Sequence, residues 1–347
     1  MTIYRLLFPG TSFLINYIEA DNHQSEYTID DFNIKTSGRV IPAKMYTPVK
    51  DYKRTIVLVH GVHSDGYKEE RLVHFASVLT RQGFRVFTPD IEDLRDYNIV
   101  VRAVDDIEKA TLWLLNDSGK IKGDEKIGLW GISFAGGLCL HLAASQQFKK
   151  RISSTFSFGG HGNLDSTIDY LITGQTEGRY MAPHVYGQAV LVRRFADKLV
   201  PLQDVQPLKD TILNYLQGNY KLARKMSETL PDNSRLYTKL IFERDVKELG
   251  KLLKKYKGNT NTDKALSAVK GDPPPCKVFL LHGSKDNVIP PGELNLIATW
   301  ADKGGHNVRS LISPLINHVE LEEKPGAKQL FDYYNIIRFW TELLRNA

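Results

Sequence analysis

Short apolar segments alternate with amphipathic segments along most of this 347-residue chain, and this alternation limits the folds open to it. The apolar runs RTIVLVHG at residues 54–61 and CKVFLLHG at residues 276–283 end in glycine, which is typical of buried strands. Residues 67–83 instead repeat apolar side chains at the spacing of one helix face. Strands that alternate with helices predict an α/β fold, in which helices cover both faces of a mostly parallel sheet.

Two segments interrupt the alternation. Residues 27–48 alternate apolar and polar side chains and predict an antiparallel hairpin at the sheet edge, with its turn at residues 37–38. Residues 161–275 have mainly helical periodicity and end in a polar loop, whose prolines favour an extended linker. We therefore expect a core formed by residues 1–160 and 276–347, with a helical cap inserted between two of its strands.

Composition argues against several other classes of protein. No apolar run reaches the about 20 residues that span a bilayer, and the two cysteines, Cys139 and Cys276, do not suggest a disulfide framework. The histidines form no H-x-x-x-H motif, and the turns lack the glycine patterns that bind phosphates. We therefore predict no metal, no cofactor and no nucleic-acid partner, and a cytoplasmic location.

The stretch KIGLWGISFAGGLCLHLAA, residues 126–144, joins a predicted strand to a predicted helix and places Ser133 at the junction. Ligands of open parallel sheets bind beyond the carboxyl ends of the strands, so Ser133 lies where a site is expected. Gly131 and Ala135 stand two positions before and after it, as a sharp turn that presents a nucleophile requires. The alternative is a turn serine that is bonded only to local backbone.

A serine hydroxyl becomes a strong nucleophile when a base removes its proton and a third group orients that base. Asp286 lies just beyond one predicted strand, and His318 follows the next one. We expect Ser133, Asp286 and His318 to form a catalytic triad. Asp165, which follows an earlier strand, is the rival for the acid.

Of four other histidines, three have structural explanations and one could line the pocket. His60 lies in the turn after a strand and His141 inside an apolar helix, and both are expected to be structural. His282 ends a strand, where packing is the ordinary role. His161 opens the predicted cap and could line the pocket.

With these motifs the chain resembles the α/β-hydrolase family from about Tyr27 onward, apart from the insertion. The resemblance rests on VLVHG after the third strand, G-x-S-x-A-G-G around Ser133, LLHGSKD, and a histidine after the last strand. Ala135 holds a position at which the family more often has glycine. The resemblance implies an oxyanion hole formed by the backbone amides of Val62 and Phe134.

A serine nucleophile in this family implies acyl transfer to water. We expect a small-molecule carboxylic ester or thioester as the substrate, cleaved through an acyl-enzyme intermediate. A serine peptidase or amidase of the prolyl-oligopeptidase type is the first alternative. A non-catalytic ligand-binding protein with the same fold is the second.

Most of the positive charge of the chain lies in the predicted cap. Residues 161–275 contain 18 Lys+Arg and 13 Asp+Glu, which supply +5 of the net charge of +6. The densest parts are residues 193–194 and the lysines of residues 251–257. Solvated helix faces are one explanation. Contact with an anionic membrane surface or an acidic substrate is the other, and residues 1–20 either pack on the core or contact a membrane peripherally.

Overall fold

The computed structural model describes residues 9–18, 26–257, 262–305, 307–318, 320–321 and 330–347. Eight strands form one sheet: β1 (Tyr27–Thr36), β2 (Arg39–Pro48), β3 (Thr55–Val59), β4 (Arg85–Pro89), β5 (Ile127–Ile132), β6 (Ile152–Phe158), β7 (Lys277–Gly283) and β8 (Val308–Ser313). Their order is β1-β2-β4-β3-β5-β6-β7-β8. The six strands β3 to β8 run parallel to one another. Strands β1 and β2 form the predicted antiparallel hairpin at one edge.

Helices cover both faces of this sheet, which confirms the predicted α/β class. Those in the described part of the chain are α1 (Pro9–Ile18), α2 (Glu70–Arg81), α3 (Glu92–Arg95), α4 (Arg102–Asn116), α5 (Phe134–Ala143), α6 (Leu164–Thr173), α7 (Val185–Leu199), α8 (Leu202–Leu216), α9 (Tyr220–Glu228), α10 (Asp232–Glu243), α11 (Val246–Leu253), α12 (Gly292–Asp302) and α13 (Leu330–Asn346). None of these helices combines the length and hydrophobicity that a membrane span needs.

The central strands bury side chains on both faces. Ile56 and Leu58 of β3 pack against α1, α2 and α13, whereas Val57 and Val59 pack against α4 and α5 on the opposite face. Each fully buried side chain of this kind contributes about 1.5–3 kcal/mol. This two-sided burial explains why the strand sequences are continuously apolar rather than alternating.

The described part of the N-terminal segment packs on the core. The ring of Phe13 in α1 stacks on Trp340 of α13 with centroids 4.1 Å apart. The amide of Gly10 donates a hydrogen bond of 3.1 Å to the hydroxyl of Thr341. The rest of residues 1–20 lies outside the described residues, so the expected membrane contact stays a prediction.

Helices α6 to α11 lie between β6 and β7, where the sequence predicts the cap. The helical periodicity of residues 161–275 is interrupted between α8 and α9 and again between α10 and α11. Gly218 and Arg244 adopt positive φ angles of 80° and 56° at these interruptions. A residue in the left-handed conformation ends a helix, and glycine is the usual residue at that position. Because Arg244 is not glycine, the sequence gives no sign that the helix ends there.

The polar loop after the cap is not the extended linker that its composition predicts. Residues 264–266 and 268–270 form two short 3₁₀ turns. Leu266 is buried, and the hydroxyl of Ser267 accepts a hydrogen bond of 3.0 Å from the amide of Leu164. Burial of Leu266 and this bond hold the described part of the loop against α5 and α6.

This loop covers His161, which is fully buried. Its Nε2 lies 2.8 Å from the carbonyl oxygen of Leu266, which can only accept, so Nε2 carries the hydrogen. The ring stacks on Phe134 with centroids 4.5 Å apart. Burial lowers the pKa of His161 to about 4, although the bond to Leu266 opposes the shift.

The carboxyl end of β5 touches the first turn of α5 at Gly131. A Cβ atom on Gly131 would lie 2.3 Å from the carbonyl oxygen of Ala135. One on Gly136 would lie 2.3 Å from the hydroxyl of Ser157. Helix α5 can therefore approach β5 at Gly131 and β6 at Gly136 this closely only because both positions are glycine.

Gly131→Ala is expected to lower the free energy of unfolding by at least about 1–3 kcal/mol, because backbone atoms must move to admit the methyl group. Gly271→Ala is the matched control: its φ is −110°, and its nearest neighbour would be 3.7 Å from the new Cβ. Its change should stay within about 0.5 kcal/mol. Urea denaturation measures both, and equal values for the two variants would contradict the contact.

His161→Gln is expected to flatten the pH dependence of stability. The unfolded chain has an ordinary histidine pKa of about 6.5, so between about pH 4 and 6.5 it binds one more proton than the folded chain. The free energy of unfolding of the native protein should therefore rise with pH by up to about 1.4 kcal/mol per unit in this window. Glutamine keeps a donor for Leu266 without titrating. Urea denaturation at a series of pH values measures the free energy of unfolding of both proteins. If it depends on pH in the same way in both, His161 is not a buried neutral imidazole.

Candidate active site

A cavity of about 530 Å³ opens at the carboxyl ends of the parallel strands. Its floor is formed by residues that follow β3, β5, β7 and β8, among them Ser133 and His318. One of its walls comes from α6 and α7 of the cap, including Leu171 and Leu191. The cavity therefore lies where open parallel sheets bind ligands.

Ser133 occupies a strained turn between β5 and α5. Its φ of 52° and ψ of −130° are rare for a residue with a side chain, and such a conformation costs about 1–3 kcal/mol. The amide of Ser133 donates to Phe158 at 2.7 Å, and its carbonyl accepts from Gly136 at 2.8 Å. These bonds hold the turn, and the hydroxyl is left at the floor of the cavity.

His318 and Asp286 are brought together as predicted from the sequence. The Nδ1 atom of His318 lies 2.9 Å from Oδ2 of Asp286. An ionised carboxylate only accepts, so Nδ1 carries a hydrogen, and in the neutral form of the imidazole Nε2 then keeps a lone pair. That tautomer is the one in which an imidazole acts as a base toward a hydroxyl.

Asp286 is fully buried and still held in its ionised form. Burial alone raises its pKa, but the charge of His318 and hydrogen bonds from His282 and His318 outweigh burial and hold the pKa well below the usual range. Its Oδ1 also accepts from the amides of Val288 at 2.9 Å and Ile289 at 3.1 Å. The carboxylate can therefore orient His318 throughout the neutral pH range.

His282 does more than pack at the end of its strand. Its Nε2 lies 3.0 Å from the carbonyl oxygen of Ile289 and 3.3 Å from Oδ2 of Asp286. Both atoms accept, so Nε2 carries a hydrogen that they share. The sequence signal for this second imidazole is the histidine four positions before Asp286, which the sequence analysis did not weigh as a contact.

The rival acid Asp165 is engaged elsewhere. Its Oδ1 accepts from the hydroxyl of Thr262 at 2.8 Å, and its Oδ2 forms an ion pair with Lys270 at 2.5 Å. Asp165 begins the first turn of α6 and does not line the cavity. The geometry joins His318 to Asp286 and leaves Asp165 outside the site.

The two residues of the implied oxyanion hole, Val62 and Phe134, both line the cavity. Phe134 begins α5, so its amide is among the N–H groups that a helix leaves without an internal partner. The loop that carries Val62 is held by buried His60, whose Nδ1 donates to Gly61 at 2.7 Å and whose Nε2 accepts from Ile91 at 2.9 Å. Burial lowers the pKa of His60 and favours this neutral form.

Hydrogen bonds tie the cap to the loops of the site. The hydroxyl of Tyr186 donates to the carbonyl of Val62 at 2.6 Å. The carbonyl of Asn287, next to Asp286, accepts from the Tyr170 hydroxyl at 3.1 Å and from the amide of His184 at 2.7 Å. No local motif marks these residues, so the sequence alone does not reveal them.

The remaining candidate groups lie away from the chemistry. His141 is half-buried on α5, and buried His161 lies behind Phe134 rather than in the cavity wall, so its expected place in the pocket is wrong. Cys139 and Cys276 are buried free thiols. Across the described ranges, no three His, Cys, Asp or Glu side chains are grouped so that they could hold a metal ion.

Several solved structures resemble this fold at low sequence identity. Esterase 2 of Thermogutta terrifontis, phosphonylated by sarin, is 15% identical with a TM-score of 0.51, covering 91% of this chain and 93% of its own. Vibralactone cyclase is 12% identical with a TM-score of 0.50, at 99% and 88% coverage. Such likeness shows a shared fold, which hosts several activities.

The acylaminoacyl peptidase of Pyrococcus horikoshii is 13% identical with a TM-score of 0.50, covering 93% of this chain. The present chain spans only 42% of that peptidase. No curated protein sequence matches the chain. Residues 54–309 match the family described as the alpha/beta hydrolase fold. Because this match covers most of the chain, the chain belongs to the alpha/beta hydrolase family.

Proposed function

We propose that this protein is a serine hydrolase that cleaves carboxylic esters or thioesters through an acyl-enzyme intermediate. One observation carries the proposal: His318 is bonded to buried Asp286 and lines the same cavity as Ser133 on its strained turn. Of the two carboxylates considered from the sequence, only Asp286 contacts the base. The esterase and peptidase neighbours are consistent with hydrolysis but do not define the substrate.

In the first half of the reaction, Oγ of Ser133 attacks the carbonyl carbon of the substrate while Nε2 of His318 accepts its proton. Asp286 stabilises the imidazolium that forms. The negative charge on the former carbonyl oxygen faces the amides of Val62 and Phe134, and each such donor contributes about 3 kcal/mol. The intermediate then expels the alcohol or thiol, which takes the proton from His318.

In the second half, a water molecule attacks the acyl group on Ser133 and gives its proton to Nε2 of His318. Collapse of the second intermediate returns that proton to Oγ and releases the carboxylic acid. The cavity provides the acyl site, because its cap wall is mostly aliphatic and includes Leu164, Ile168 and Val190. An apolar cavity of this size fits a medium-length acyl chain.

Ser133→Ala is expected to lower kcat/KM for a p-nitrophenyl acyl ester by about 10⁴-fold or more, since the members of a triad act as a unit. The matched control is Ser64→Ala, a half-buried serine on the loop after β3 whose side chain does not line the cavity. It should keep normal activity. A fluorophosphonate should label the wild-type protein at Ser133, as peptide mapping can establish.

Three results distinguish the proposal from its alternatives. Turnover of Ser133→Ala near the wild-type rate would exclude Ser133 as the nucleophile. A folded wild-type protein without labelling or turnover would favour a non-catalytic binding protein. Turnover of acylaminoacyl peptides in preference to esters would favour the peptidase.

Asp286→Asn is expected to lower kcat by about 10³- to 10⁴-fold, because His318 then loses the partner that fixes its tautomer. Asp165→Asn is the control on the rival acid and should leave kcat close to wild type, since its partners are Thr262 and Lys270. Steady-state kinetics on one ester compares the two variants. A larger loss in Asp165→Asn than in Asp286→Asn would show that the acid is misassigned.

A further inference from the structure

The two densest groups of positive charge in the cap have different environments. The lysines of residues 251–257 are exposed, and Lys251 pairs with Glu248 at 2.5 Å. They fit the explanation of solvated faces, and their contact with an anionic membrane stays a prediction. Arg193 and Arg194 are half-buried and reach inward to residues 98–99. Solvation does not explain this pair.

One face of α7 forms a continuous wall of the cavity. Tyr186, Gly187, Val190, Leu191 and Arg194 line it, at the spacing of residues that share one side of a helix. Tyr186 lies at the reaction end, because its hydroxyl bonds to Val62. Arg194 is eight positions later, which places it about 12 Å along the helix from that end. The aliphatic part of the wall lies between them.

The guanidinium of Arg194 has no carboxylate partner among the described residues. Its Nη1 donates to the carbonyl of Ile99, and no other hydrogen bond to the described chain engages its remaining donors. Asp165 is its acidic neighbour, but that carboxylate pairs with Lys270. Burial lowers the pKa of Arg194, because removal of the guanidinium charge from water costs free energy. An anion bound in the cavity would offset that cost.

The other charged side chains of the cavity wall do not compete for this role. Glu69 and Arg71 both line the cavity and form an ion pair with each other, so their charges offset. The carboxyl of Asp286 is enclosed by its own donors beneath His318. Arg194 therefore gives the cap end of the cavity a positive charge.

We propose that Arg194 is an anion subsite and that the substrates are esters or thioesters whose acyl chain ends in a carboxylate. This inference rests on the proposed function, since it assigns the acyl group of that reaction. The reacting carbonyl lies at Ser133, the methylene chain lies along Val190 and Leu191, and the terminal carboxylate binds Arg194. A guanidinium matches a carboxylate in geometry and binds it through paired hydrogen bonds.

Two substrates of equal carbon number test the subsite: p-nitrophenyl octanoate and the mono-p-nitrophenyl ester of suberic acid. The wild-type protein should prefer the suberate. Arg194→Met keeps the length of the side chain and removes its charge. It should lower the ratio of kcat/KM for the suberate to kcat/KM for the octanoate by about 10- to 100-fold, the range of a charged hydrogen-bonded pair.

Arg193→Met is the matched control, because Arg193 is the adjacent half-buried arginine, bonds to Asn98, and does not line the cavity. It should leave the ratio of kcat/KM for the two substrates unchanged. If Arg194→Met lowers kcat/KM equally for both substrates, Arg194 only supports the loop at Ile99. If the wild-type protein prefers the octanoate, the subsite is overturned.

A binding measurement separates failure of the subsite from failure of the proposed reaction. Calorimetric titration of the wild-type protein with suberate itself requires no turnover. Binding that is lost in Arg194→Met and kept in Arg193→Met supports the subsite even if neither ester is cleaved. Absence of suberate binding to the wild-type protein overturns the subsite even if p-nitrophenyl octanoate is hydrolysed through Ser133.

Discussion

A fully buried carboxylate, Asp286, is the constraint on which the arrangement of the site depends. A charge removed from water is stable only when hydrogen-bond donors surround it. Two backbone amides and two imidazoles supply those donors here. The amides belong to the loop after β7, His282 lies at the end of β7, and His318 lies on the loop after β8. One buried charge therefore holds these three segments in place. His318 is oriented by a bond that the carboxylate needs for its own stability.

The cap supports the site as well as covering it. Tyr186 holds the loop of the implied oxyanion hole, and Tyr170 holds the loop that carries Asp286. Apolar residues of the sheet, such as Val57 and Leu129, belong to the same buried cluster as Leu208 and Ile241 of the cap. Core and cap are therefore packed as one interior.

Hydrophobic periodicity is a local signal, and for that reason the sequence predicted the sheet, its edge hairpin and the helix positions. It also placed Ser133 beyond a strand end and paired His318 with the carboxylate that contacts it. The bonds of Tyr186 and Tyr170 join residues 124 and 117 positions apart, and no local pattern encodes them. The composition of the polar loop favours a linker, because composition does not reveal the tertiary contacts that bury Leu266 and Ala268.

The shared interior of core and cap has a consequence for how ligands reach the cavity. Swinging the cap away as a rigid lid would expose a large apolar area to water and break its bonds to the loops at Val62 and Asn287. Opening of that kind would resemble partial unfolding. Entry then has to proceed through a fixed opening of the cavity with small side-chain motions. In such a protein, substitutions in the cap alter selectivity and folding stability together.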